Sequence, residues 1–272
     1  MNKRLPLLLL VPWLVGVTAS LAEAPAETPA WLDSLVEASG LAFQVQQIAP
    51  LIQSSLVHGE TAWGDVAPEA RASMTLAVNW AFSAERLTED VRTHLQGALG
   101  EEPAQAALDW LTSPAGQRIT RAEEEASTPA GQRAMAEADI DIAEGSRRDL
   151  LSRLLHAVKA PKHQLDFGFE VQRATLLGMD PRNRAAVDQL EAQLRGSRSL
   201  LEGIMEEQIL STFLFTYRDI GSEDLEAYLA FALSDKGQAY HEAIMDGLTL
   251  ALRNAGARMG ERLAQIATEA AH

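Results

Sequence analysis

Leu111-Thr-Ser-Pro-Ala-Gly-Gln-Arg118 is echoed 121 positions later by Ala232-Leu-Ser-Asp-Lys-Gly-Gln-Ala239. Laid over one another without gaps, 99–122 and 220–243 share eight identities in 24 positions, and Trp110 faces Phe231 in that register. Solenoid repeats recur every 20–50 residues or so, and this spacing is far longer, so it points to a duplicated unit of several helices. The chemistry of the repeated stretch is that of a helix start. Ser113 can cap the following helix through its hydroxyl, and Pro114 suits the first turn, where no amide donor is needed. Gly116 lets a neighbouring helix come close, and Trp110 can pack back over the turn. Ser234 and Gly237 repeat the two essential positions, with Asp235 complementing the helix dipole in place of proline. Thr128-Pro-Ala-Gly-Gln-Arg133 uses the same code a third time.

Outward from this corner the pattern is helical throughout. Ile244, Leu248, Leu252, Ala255, Met259, Leu263 and Ile266 recur at steps of three and four and form one apolar stripe. No alternating run rich in Val, Ile, Thr and Tyr marks a strand. The chain is predicted all-α, with helices at 31–39, 41–57, 67–81, 83–97, 102–112, 114–127, 129–157, 166–178, 182–218, 223–233 and 235–269. Pro161 reads as a break between helices. Two repeat units, 25–147 and 148–272, are expected to share one compact, pseudo-symmetric domain, because no Gly/Ser/Pro-rich linker separates them.

Residues 1–24 read as a cleavable leader. Lys3 and Arg4 precede an apolar stretch from Leu5 to Val17, and Ser20, Ala22 and Ala24 supply the small residues of a cleavage site. Removal of that segment leaves 21 basic and 37 acidic side chains, a formal charge of −16 against −15 for the whole chain. So acidic a surface opposes nucleic acid and anionic lipid, which call for clustered Lys and Arg. The chain has no cysteine, so core burial and not disulfides must hold it together outside the cytoplasm. The expected location is a bacterial periplasm, with no membrane association once the leader is gone.

At these residues the chain resembles a family of bacterial exported proteins classed as a domain of unknown function. The resemblance runs through Trp110, Ser113-Pro114-Ala115-Gly116-Gln117-Arg118 and 123–128. It extends to Thr216-Tyr-Arg-Asp219, Leu225-Glu-Ala-Tyr-Leu229, Phe231, Ser234 and Gly237 through His241. It implies an α-helical periplasmic protein and supplies no catalytic residue.

The remaining candidates are weighed by their chemistry. His241-Glu242 opens like a zinc-protease helix, but the position of the second imidazole is Met245. No metal or cofactor signature is present. Glu123-Glu124-Glu125 and Asp139-Ile-Asp141 are the carboxylate clusters. Three consecutive glutamates fan around a helix axis, so a solvated face is expected, with local pairing of Glu123 or Glu124 to Arg118 or Arg121. All three tyrosines lie in the second half. If the helices around them form a corner, Tyr217, Arg218, Tyr228, Tyr240 and His241 would line one pocket, aromatic bodies with a few convergent polar groups. The competing expectation keeps those rings at the core edge with their hydroxyls wet.

Two functional readings follow. The first is a non-enzymatic binding module for a protein or a small apolar ligand. The alternative is a hydrolase of the cell envelope, drawing on Glu123, Glu124, Arg118 and His241.

Overall fold

A computed structural model describes residues 28–50, 52–53, 68–138, 145–182 and 184–270. The leader-like segment 1–24 and Asp139-Ile-Asp141 lie outside them. Among the described residues every regular element is a helix: α1 (Ala30–Ala38), α2 (Leu41–Gln46), α3 (Pro68–Ala81), α4 (Ala84–Ala98), α5 (Glu101–Thr112), α6 (Pro114–Ser127), α7 (Pro129–Glu137), α8 (Ser146–Ala157), α9 (Ala160–Met179), α10 (Arg184–Thr216), α11 (Ser222–Leu233) and α12 (Asp235–Ala270).

Three joints between consecutive helices consist of one extended residue each, and all three use the same code. Ser113 (φ −65°, ψ 156°) joins α5 to α6, Thr128 (φ −65°, ψ 156°) joins α6 to α7, and Ser234 (φ −71°, ψ 152°) joins α11 to α12. At the first, the Ser113 hydroxyl donates to the Trp110 carbonyl at 2.6 Å and accepts the Gly116 amide at 3.0 Å. Ser234 does the same between Phe231 and Gly237, at 2.7 and 3.0 Å. One hydroxyl thus satisfies the end of one helix and the start of the next, the groups a helix cannot satisfy itself. Asp235 in place of proline leaves that geometry intact.

The two corners pack reciprocally. The incoming helix of each lies on the outgoing helix of the other, α5 against α12 and α11 against α6. Trp110 and Phe231 stack across the join, ring centroids 5.4 Å apart and planes 14° from parallel. Arg118 on α6 donates two 2.7 Å hydrogen bonds to Asp224 on α11, and Lys236 on α12 pairs with Glu102 on α5 at 2.8 Å. Trp110 therefore packs on the opposite corner, and Arg118 pairs across the molecule and not with Glu123 or Glu124.

Two apolar cores flank this join, and neither is confined to one half of the chain. The first gathers α1 to α5 around α12, with Leu35, Phe82, Leu87, Leu95 and Ala251 fully buried. The second gathers Ile119, Leu151, Leu154, Leu155, Leu225 and Leu229 from α6, α8 and α11. Trp110 packs against both. The close approach of α9 to α12 depends on glycine. A Cβ at Gly178 would stand 2.3 Å from the Ala257 carbonyl oxygen, and one at Gly260 2.2 Å from that of Thr175. Together the helices form one compact body.

Three expected boundaries are corrected. The helix predicted over 129–157 is interrupted: α7 stops at Glu137, Ala138 is extended (ψ 134°), and α8 begins only after Gly145. Pro161 does not divide the chain but sits in the first turn of α9, since the redirection falls on Lys159, in the left-handed region at φ 52°, ψ 33°. The helix predicted over 41–57 is helical to Gln46, turns at Gln47, and is helical again at 48–50 and 52–53.

Arg258 ties α12 to the end of α3. Its guanidinium donates to the Ala81 carbonyl at 3.1 and 3.3 Å and meets Asp90 at 3.3 Å. Arg258→Met keeps the apolar stem and removes these bonds. It should cost about 1–2 kcal/mol, read as a fall in melting temperature by circular dichroism.

Candidate functional site

The site is built where the two cores meet. A cavity of about 510 Å³ lies there, lined by Leu111, Tyr240 and Ile244 of the first core and by Ile119 and Tyr217 of the second. Each wall has a local cause. The capped start of α12 at Ser234 brings Tyr240 and His241 round within two turns, on the side facing α11. Tyr228 comes from the middle of α11. Tyr217 follows the last residue of α10, and Arg147 holds that end by donating to the carbonyls of Tyr217 and, at 3.0 Å, Ile220.

A continuous series of rings surrounds the space. Phe213 meets Tyr217 edge-on at 5.3 Å, and Tyr217 meets Tyr228 at 6.4 Å. Tyr228 stacks on Trp110 at 5.6 Å and lies 6.1 Å from His241, which is 5.2 Å from Tyr240. Such offset and edge contacts are the favoured aromatic geometries.

Four of the five residues singled out from sequence, Tyr217, Tyr228, Tyr240 and His241, thus share one cavity. Arg218 does not. Its guanidinium lies 4.2 Å over the Phe215 ring, donates to the Phe215 carbonyl and pairs with Asp219, along a separate depression of about 370 Å³. Tyr217 and Tyr240 are buried and not at the core edge, with the Tyr217 hydroxyl donating to Glu123 Oε1 at 2.7 Å, while Tyr228 is half-buried.

Glu123 is the residue that the run of three glutamates concealed. Glu125 is exposed and Glu124 faces a groove beside Arg121, but Glu123 turns into the cavity. The signal was present in sequence, since Glu123 falls four residues after Ile119 and three before Ala126, both buried on the same face. Burial raises its carboxyl to about pH 7, against the Tyr217 hydrogen bond, which pulls the other way, and with a further push from Glu124. Burial also holds His241 neutral, lowering it to about 4, and lowers His163 on the cavity's α9 wall. Tyr217 and Tyr228 are raised well above the usual phenol range, chiefly by burial.

His241 Nε2 is buried without a hydrogen-bond partner. Arg118 and Glu124 are outside the cavity, so the four residues of the hydrolase reading are not brought together. Among the described residues no group of three His, Asp or Glu is arranged to hold a metal ion. No described helix is long and apolar enough to cross a membrane. No family model matches the chain, and no curated protein or solved structure does either.

Proposed function

We propose that this chain is an exported, non-enzymatic helical binding protein of the bacterial envelope that takes a small, largely apolar molecule into the cavity between its two cores. The observation that carries the reading is the lining: its surface is mainly apolar, from aromatic and aliphatic side chains, and its polar groups include Glu123, two histidines, four glutamines and the three tyrosine hydroxyls. A concave, mainly apolar volume with a few fixed polar groups is the usual composition of a small-molecule site. Export rests on the leader pattern of 1–24 and on the sequence likeness to exported helical proteins of unknown function, and origin by duplication on the repeated sequence and the reciprocal corners.

The hydrolase alternative draws on one feature, a carboxyl that titrates near neutrality. Among the described residues it lacks the rest of an acid–base apparatus, because His241 makes no hydrogen bond through Nε2 and the cavity lining holds no lysine or arginine beside Glu123 to stabilise a developing oxyanion.

Nile red, neutral and fluorescent in apolar surroundings, is the probe for the binding reading. It should bind the native chain with enhanced, blue-shifted emission. Thr212→Trp, on the α10 wall, should narrow the space and weaken Nile red binding while far-ultraviolet circular dichroism stays unchanged. An affinity for Nile red unchanged by this substitution in a folded variant would remove the cavity from consideration as the binding site.

A further inference from the structure

The cavity has an unbalanced charge pattern. Among the described lining residues Glu123 is the one acidic side chain, and neither lysine nor arginine is present. The two histidines of the lining, His163 and His241, are both held toward the neutral form by burial. The carboxyl therefore has a hydrogen bond from Tyr217 and no cation. A buried carboxylate without a counter-charge is costly, and burial accordingly holds the Glu123 carboxyl toward its protonated form, raised to about 7.

Resting on the binding reading above, we infer that the ligand is an organic ammonium: a protonated amine with an aromatic or aliphatic body, its nitrogen placed at Glu123 among the rings of Tyr217, Tyr228 and Phe213. The reasons are complementary. The ammonium supplies the positive charge the lining lacks. The ring faces carry the negative side of the aromatic quadrupole and attract a cation in a desolvated site. The apolar remainder of the cavity accepts the hydrocarbon body. An anionic ligand meets no positive side chain there and faces Glu123. At long range the net charge of −15 draws cations toward the protein and repels anions.

Binding is then linked to proton release from Glu123. The titratable groups that share the cavity with this carboxyl are Tyr217 at the end of α10, Tyr228 on α11, Tyr240 and His241 on α12, and His163 on α9, and Glu124, outside the cavity, acts on it from the next position of its own helix. The tyrosines stay neutral across the working range. Any share contributed by the histidines persists when Glu123 is replaced, so it is read separately.

The test compares phenethylamine with phenethyl alcohol, nearly the same shape and differing in charge, by calorimetry and by displacement of Nile red from the full chain. At pH 8 the amine should bind at least ten-fold tighter than the alcohol. Lowering the pH to 5.5 should weaken the amine about thirty-fold, the loss of ionised Glu123 for a group at about 7, and leave the alcohol unmoved. Glu123→Gln keeps the side-chain shape and an acceptor for Tyr217. It should cost the amine at least ten-fold and flatten its pH profile, in a variant whose far-ultraviolet circular dichroism is that of the native chain. Equal affinity for amine and alcohol, or an amine affinity indifferent to Glu123→Gln, overturns the ammonium assignment while Nile red binding upholds the cavity. Absence of all three probes from the native cavity overturns both.

Discussion

Gly237→Ala should lower the melting temperature by about 6–12 °C, the equivalent of a loss of about 3 kcal/mol at 2–4 °C per kcal/mol for a chain of this size. A Cβ there would lie 1.8 Å from the Phe231 carbonyl oxygen, 2.8 Å from its carbon and 3.0 Å from Ser234 Oγ. The first two are backbone and cannot rotate away, so the joint between α11 and α12 has to open. Opening it breaks the Ser234 bridge and displaces Tyr240 and His241, which are three and four residues downstream. Nile red binding should fall with stability. Gly116→Ala tests the first corner in the same way, its Cβ 2.1 Å from the Trp110 carbonyl oxygen. Gly221→Ala is the control: it is extended (φ −66°, ψ 152°) and nothing lies within 4 Å of its Cβ. Scanning calorimetry of the three variants decides the matter. A Gly237→Ala midpoint no lower than that of Gly221→Ala would mean that the corners are not held by close backbone approach.

The corners were legible because their determinants are local. A hydroxyl with a glycine three residues on makes a one-residue joint at Ser113, Thr128 and Ser234, and α6 begins and ends where the sequence places it. The partners were not legible, because they depend on which surfaces meet. Nothing near Trp110 in the chain says that its ring stacks on Phe231 and Tyr228, or that Arg118 reaches Asp224. Adjacency in sequence misled at Arg218. At the end of a helix, neighbouring side chains diverge by about 100°, so Tyr217 enters the cavity while Arg218 folds over Phe215. Glu123 was readable from its register with Ile119 and Ala126, but a run of like charges suggested a solvated face and hid the one member that belongs to the apolar stripe. Pro161 misled in a different way. Proline restricts the residue before it and removes one donor, yet both effects are harmless in a first turn, and the change of direction falls on Lys159.

Glu123 and His241 should oppose one another in the pH dependence of stability, and separating them gives the second large effect. Glu123 titrates at about 7 when folded and at 4.5 ordinarily, so between those values the native state holds a proton the unfolded chain has released. Stability from this group is therefore full below 4.5 and falls as pH rises toward 7, by roughly 3 kcal/mol in all. His241 titrates at about 4 when folded and 6.5 ordinarily, so there the unfolded chain binds the extra proton. Its contribution falls as pH drops from 6.5 to 4, by a similar amount. In the native chain the two slopes nearly cancel between 4.5 and 6.5. Glu123→Gln should remove one slope, leaving stability that climbs with pH from 4 to 6.5 and lies above the native chain by roughly 3 kcal/mol at pH 8. His241→Phe, which replaces an unpartnered imidazole within a ring cluster, should leave the opposite slope, falling from 4.5 to 7. Shifted groups apart from this pair, Asp166 among them, act alike in all three proteins and drop out of the differences, whereas His163, whose charge adds to the lowering of His241, changes with it in His241→Phe. Urea denaturation at half-unit steps from pH 4 to 8 reads these curves directly. Variant curves that run parallel to the native one would show that neither group is desolvated in the folded state, and the lone carboxyl on which cation recognition depends would then be an ordinary, hydrated one.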